Sequence, residues 1–215
     1  MNLVFDYDGT LHDCIRIYAP AFRRAWAHLV SLSLAQARAW EDREVSRWLG
    51  IRPGEMWDAF MPALPRDIKD ECSRIIGDEM LRLTREGRAR LYPQALRTLE
   101  QLKRSGHTLI FLSNCKRAYM LAHRECFRLD DYFAAFYCAE DFAGQAKHEI
   151  FGRVMKNSTG EFVVIGDRVH DMEIAQIYGL KAIGCGYGYG EPWELAKADF
   201  IAAGAGEILL YLASL

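Results

Sequence analysis

Proline is scarce in this chain, six among 215 residues, and no internal repeat or low-complexity tract interrupts it. With 51% hydrophobic and 26% charged residues, collagen, coiled coil and wholesale disorder are excluded. No window approaches the 18 or more apolar residues of a membrane span, and the apolar stretch 208–215 reads as a last helix packed on a core. The start lacks a leader pattern, because residues 1–5 run at once into Asp6 and Asp8. A cytoplasmic protein with no membrane partner is therefore expected. An excess of charge is also missing. Lys plus Arg is 27 against 29 Asp plus Glu, net −2, which speaks against a bulk nucleic-acid binder. The run Arg82, Arg85, Arg88, Arg90 reads as a solvated helix end or a local basic patch. The six cysteines form no C-x-x-C pair and fit neither a zinc knuckle nor a small disulfide scaffold, so buried free thiols in a reducing compartment are expected.

A chain of this size buries roughly 70% of its unfolded surface and needs no metal or disulfide to hold its fold. Short, mostly unalternated apolar runs lie at 3–5, 109–112, 136–138, 162–165 and 181–185. Strands covered on both faces look like this. Helical periodicity separates them, as in Leu96, Leu99 and Leu102 behind Pro93, and in Met172, Ala175, Ile177 and Tyr178. The order implies an α/β fold, a three-layer Rossmann-like parallel sheet. Residues 14–86 differ. They hold two apolar helix stripes, no convincing strand, and four of the five tryptophans (Trp26, Trp40, Trp48, Trp57). An all-helical inserted domain at 14–86 is expected, with the α/β core built from 1–13 and 87–215. Its tryptophans supply large buried area to a small core, or one of them faces a substrate.

Acidic residues gather behind two of the predicted strands. Asp6, Asp8, Gly9 and Thr10 follow the first, and Gly166, Asp167, Arg168 and Asp171 follow the fourth. Either set can be a solvated turn or a helix cap. Capping explains one acid more readily than it explains paired acids at two strand ends. In open parallel sheets ligands bind beyond the carboxyl ends of the strands. Four convergent carboxylates, Asp6, Asp8, Asp167 and Asp171, have the hard oxygens of a Mg²⁺ site. Ser113-Asn114 ends another strand and offers a hydroxyl and helix N–H groups to an anion, or simply caps the next helix. Lys147 lies in a polar stretch, and by pattern alone a lone lysine is solvated.

The set Asp6-Tyr7-Asp8-Gly9-Thr10-Leu11, Ser113-Asn114, Lys147 and Gly166-Asp167-Arg168 to Asp171 resembles, in order and spacing, the four motifs of the haloacid dehalogenase-like hydrolases. Asp13 also matches. Cys14 stands where Ser or Thr is usual, and His148 follows Lys147 where the family often has proline. The segment from Ile183-Gly184 to Tyr187-Gly188-Tyr189-Gly190, and an insert after the first motif, resemble the phosphoglycolate phosphatase-like branch, where the insert acts as a cap. The resemblance implies a Mg²⁺-dependent phosphatase of a small phosphorylated metabolite, as monomer or homodimer. Asp6 would be the nucleophile and Asp8 the general acid and base. Gly9, Ser113, Asn114 and Lys147 would hold the phosphate. Asp6, the Asp8 carbonyl and Asp167 would hold the metal, with Asp171 directly or through water. Arg52 and Trp48 are candidate cap contacts. A sugar-phosphate mutase would keep the same motifs, and a retired hydrolase that only binds would keep them without turnover.

Overall fold

The structure is a computed structural model that describes residues 1–156 and 159–215. It contains a six-stranded, all-parallel sheet in the order β3-β2-β1-β4-β5-β6. The strands are β1 (Asn2–Phe5), β2 (Thr108–Ser113), β3 (Ala135–Cys138), β4 (Phe162–Gly166), β5 (Lys181–Cys185) and β6 (Phe200–Ala202). β1 lies between β2 and β4, with Phe5 opposite Phe111 on one side and Ile165 on the other. The unalternated runs follow from this placement. Successive side chains on a strand point to opposite faces, and here both faces are covered. Val4, Ile110, Leu112 and Val164 join one cluster with Ile150, Phe151 and Val154 of α7 (Lys147–Lys156) and Met172 and Ile174 of α8 (Val169–Tyr178). On the alternate positions, Phe5 and Phe111 pack edge-on against Phe133.

Contacts divide the chain into two compact units, Met1–Asp13 with Arg90–Leu215, and Cys14–Ala89. The second unit holds α1 (Ile15–Ser31), α2 (Asp42–Ser46), α3 (Pro53–Phe60) and α4 (Arg66–Arg85), and α1 packs along α4. Its centre is aromatic. Phe60 makes ring contacts with Phe22, Trp26, Trp40, Trp48 and Trp57 at centroid distances of 5.4–6.0 Å. Glu79 is buried and receives the guanidinium groups of Arg24 and Arg82, so Arg82 is tied down within the expected basic run. Lys69, also buried, is bonded to Asp58 at 2.8 Å and to the Pro62 carbonyl. Arg52 pairs with Glu55.

The helix behind Pro93 starts later than read, one strand was not read at all, and the last helix is present but shorter than its apolar stretch. β6 was not read from the sequence: Phe200-Ile201-Ala202 is apolar but only three residues long, at the sheet edge with Ile201 exposed. α5 (Ala95–Arg104) starts two residues beyond Pro93, since Gln94 sits in the left-handed region at φ 67°. The last helix, α9 (Glu207–Leu212), buries only Ile208 and Leu212 and stops short of the exposed Leu215. All six cysteines are free thiols; Cys14, Cys72, Cys138 and Cys185 are buried and Cys126 is exposed. Among the described residues no helix is long and apolar enough to cross a membrane.

Phe22 is fully buried at the centre of the aromatic cluster. Phe22→Ala is expected to destabilise the helical unit by about 3–5 kcal/mol. Urea denaturation followed by tryptophan fluorescence measures this, and a loss well under 1 kcal/mol would show that the cluster does not hold the unit together.

Candidate active site

Asp6 follows β1, Ser113 ends β2, and Asp167 follows β4. Because β1 is paired with both neighbours in parallel register, the three positions fall side by side at one edge of the sheet. This is the carboxyl edge, at the point where the chain order turns outward in both directions. Lys147 opens α7 and Asp171 lies in the first turn of α8.

Three carboxylates and one ammonium meet there out of water. Asp6, Lys147, Asp167 and Asp171 are all buried. The Lys147 Nζ donates to Asp6 Oδ1, and to Asp171 Oδ1 at 2.6 Å. Oxygens of Asp6, Asp167 and Asp171 all lie within 4.8 Å of one another. Asp171 Oδ2 accepts the Arg168 N–H at 3.1 Å, and Asp167 Oδ2 accepts the Tyr189 N–H at 2.7 Å. Asp167 Oδ1 is buried with no hydrogen-bond partner among the described residues. Burial pushes the Asp6 carboxyl up to about 7; Lys147 offsets part of this and Asp171 adds to it. Burial, with Asp6 and Asp171 beside it, pushes Asp167 well above the usual carboxylate range. Lys147 moves up, because the two carboxylates outweigh its own burial. If all four groups are ionised, three negative charges face one positive charge, and a divalent cation would match the difference.

Main-chain packing holds the cluster in place. Gly9 has φ 91°, and a Cβ there would overlap the Asp167 carboxylate. At Gly190 a Cβ would strike the Asp167 carbonyl. The segment between them is anchored by the Tyr187 hydroxyl on the Thr10 carbonyl at 2.7 Å and the Tyr189 hydroxyl on Asp13 at 3.0 Å. Glu194, buried, accepts from Arg168 Nε at 2.8 Å and from the Val169 N–H at 3.1 Å.

The expected convergence of four carboxylates is corrected to three. The chain leaves β1 at Phe5, and Asp8 bridges to His12 instead. Its Oδ1 is 2.7 Å from His12 Nδ1 and accepts the Tyr119 hydroxyl at 2.8 Å. Burial pushes the Asp8 carboxyl up, but His12, with His123 and the Tyr119 bond, outweighs it, so the net shift is downward. Asp6 and Asp8 are thus two residues apart and in opposite environments. A second correction concerns Gly9. Its N–H donates to the His12 carbonyl at 3.0 Å, so what it visibly contributes is space beside Asp167. Ser113 is buried and its Oγ accepts the Cys115 N–H at 3.3 Å; Asn114 follows it. Lys147, polar-stretch residue by pattern, is buried between two acids. The α8 N-cap is Arg168, not Asp167.

Sequence reasoning missed the residues around Asp8. Tyr119, His123 and Phe127 share one face of α6 (Arg117–Phe127) at four-residue spacing. That spacing, and a histidine four residues after Asp8, were the available signals.

A profile described as haloacid dehalogenase-like hydrolase matches residues 3–185. The chain is 26% identical over 221 residues to a phosphoglycolate phosphatase of Pectobacterium atrosepticum, covering 97% of this chain and 90% of that one. It is 27% identical over 199 residues to a 5'-nucleotidase of Pseudomonas aeruginosa, covering 90% and 86%. A haloacid dehalogenase-like family hydrolase from Streptococcus pneumoniae has the same fold, with TM-score 0.81 and 22% identity over 98% and 97% of the two chains. So does CbbY from Rhodobacter sphaeroides in complex with phosphate, with TM-score 0.77 and 20% identity over 96% and 95%. With motifs, sheet order and profile in agreement over most of its length, the chain belongs to the haloacid dehalogenase-like hydrolases, in their phosphoglycolate phosphatase-like branch.

Proposed function

We propose that this protein is a Mg²⁺-dependent phosphatase that hydrolyses a small phosphorylated metabolite through an aspartyl-phosphate on Asp6. The observation that carries the reading is the buried cluster of Asp6, Asp167 and Asp171 around Lys147. Relatives named phosphoglycolate phosphatase and 5'-nucleotidase support a phosphoric monoester as substrate.

The donor set fits Mg²⁺. It offers hard carboxylate oxygens, an excess of negative charge, and an unpartnered buried oxygen on Asp167. Asp6, Asp167, Asp171 and the Asp8 carbonyl would hold the ion. Bound there, it would offset charge on the phosphoryl oxygens and bring an anionic substrate next to an anionic carboxylate. In the first step the Asp6 oxygen that is not bonded to Lys147 attacks phosphorus. The bond from phosphorus to the leaving oxygen breaks, and Asp8, which must carry a proton when the substrate is bound, gives it to that oxygen. In the second step a water attacks phosphorus, its proton passes to Asp8, and the Asp6 carboxylate is released with inorganic phosphate. An ammonium has three donors. Two of those on Lys147 bind acids, and the third is available to a phosphoryl oxygen beside Ser113 and Asn114. The helical unit of residues 14–89 would act as the cap that selects the leaving group.

Two outcomes test this reading. Phosphate release from a panel including 2-phosphoglycolate, sugar phosphates and 5'-nucleotides should require Mg²⁺ and stop with EDTA. Asp6→Asn should lower it at least about a thousandfold. Release that survives in Asp6→Asn, or none at all from folded protein, would falsify the reading. The second outcome is thermodynamic. A folded-state carboxyl raised from 3.8 to about 7 favours the fold below pH 3.8, and that contribution is lost as pH rises through 7. Metal-free protein should therefore lose stability between pH 4 and 7, less so in Asp6→Asn. Mg²⁺ should raise the melting temperature more at pH 8 than at pH 5. Equal gains at both pH values would contradict the assignment of the ion to this cluster.

A further inference from the structure

Asp8 is bonded to two side chains that the reaction as written does not use, His12 and Tyr119, and two more, Tyr7 and His123, stand behind these. Its Oδ1 takes two partners, His12 Nδ1 at 2.7 Å and the Tyr119 hydroxyl at 2.8 Å, and these two are 3.1 Å apart. No hydrogen bond among the described residues falls on its Oδ2, and the side chain is 18% exposed. His12 is fully buried and its Nε2 has no partner among the described residues. A buried N–H left unpaired is costly, so the ring proton belongs on Nδ1, where it donates to Asp8.

The imidazole is itself held on several sides. It stacks on Tyr7 with centroids 5.4 Å apart and an interplanar angle of 13°. His123 meets it edge-on at 4.6 Å, with Tyr119 at 6.3 Å and Phe127 at 6.5 Å. Tyr7 and His123 are in turn joined by a 2.7 Å hydrogen bond. Burial, with His12 beside it, pushes His123 down to about 3, which keeps that ring neutral against the Tyr7 hydroxyl. Two adjacent buried histidines, one with an unsatisfied nitrogen, are a poor way to fill a core. Apolar rings would fill that space with less desolvation. What the polar pair supplies that apolar rings could not is a fixed anchor for one Asp8 oxygen.

We propose that His12 and Tyr119, braced by Tyr7 and His123, are positioning residues for proton transfer. They pin Asp8 Oδ1 so that Oδ2 is presented to the leaving oxygen and then to the attacking water. This rests on the reading of Asp8 as the proton carrier. The resulting requirement is geometric. A carboxylate free to rotate loses alignment in both half-reactions while substrate binding is untouched.

The test uses the whole protein with Mg²⁺ and two substrates, an alkyl phosphate and p-nitrophenyl phosphate. Tyr119→Phe deletes one hydroxyl, and His12→Phe deletes the ring donor while keeping a ring against Tyr7. Each should lower kcat on the alkyl phosphate by about tenfold to a hundredfold, with KM within about twofold of wild type. Nitrophenolate leaves without a proton, but the water step still needs Asp8. With p-nitrophenyl phosphate the variants should therefore show a burst of about one equivalent of nitrophenolate per site, followed by slow turnover. His12→Asn, which returns an N–H donor, should recover most of the rate. If His12→Phe fails to fold, Tyr119→Phe still carries the test. Wild-type kcat in the variants, or a loss with no burst and no KM-against-kcat split, overturns the inference. Asp8→Asn separates the two levels. If it is inactive while Tyr119→Phe and His12→Phe turn over normally, only the positioning role falls; if it keeps full activity, the role of Asp8 falls with it.

Discussion

One ammonium group buried among carboxylates sets the terms for the rest of this site. Without Lys147, Asp6 and Asp171 would face each other and Asp167 away from water, with main-chain N–H groups and the Arg168 charge as the compensation seen among the described residues. Removing one partner of a buried ion pair leaves an uncompensated charge, which costs about 3–5 kcal/mol. The lysine is delivered by the first turn of α7, whose Ile150, Phe151 and Val154 are packed into the core beneath the sheet. The hydrophobic face of that helix thus fixes where the charge stands. The electrostatics of the site depend on an ordinary packing interaction several residues away.

The second constraint is steric. Three loops come together at the carboxyl edge of β1 and β4, and side chains would keep them apart. Gly9 and Gly190 let main chain approach Asp167 from two directions. Tyr187 and Tyr189 then fasten the loop after β5 to the loop after β1. These contacts hold Asp167 with one oxygen bonded and the other unpartnered. A buried carboxylate oxygen without a partner among the described residues is costly unless something compensates it, which is the part the proposed cation would play.

Asp6 and Asp8 show how two like residues acquire different chemistry. Both leave the same strand. Asp6 turns into the charged cluster, where burial raises its carboxyl, and Asp8 turns to an imidazole and a phenol that lower it. Two like residues two positions apart thus meet quite different partners, a lysine and acids on one side, rings and a hydroxyl on the other. The division originates in α6, which aligns Tyr119 and His123 on a single face.

Much of this was legible in the amino-acid order, because strands buried on both faces leave unalternated apolar runs and the acids stand directly behind them. The α/β class, five of the strands and the grouping of Asp6, Asp167 and Asp171 near one edge follow from local pattern, motif order and the parallel sheet they imply. β6 escaped, since an edge strand of three residues has too little apolar surface to register. The carboxylate of Asp8 was misplaced, since two acids at strand spacing share a face only while the strand continues, and β1 ends at Phe5. Local pattern marked Lys147 only by its place in the motif order and His12 only by its spacing from Asp8. A buried lysine and a surface lysine look alike in sequence; what distinguishes them is which charges the fold brings within hydrogen-bond reach. Local pattern determined the elements and their polarity, because those depend on near neighbours. Only the tertiary structure decided which charges are compensated and which oxygen of each acid is engaged, because those depend on distances between residues up to 176 positions apart in the chain.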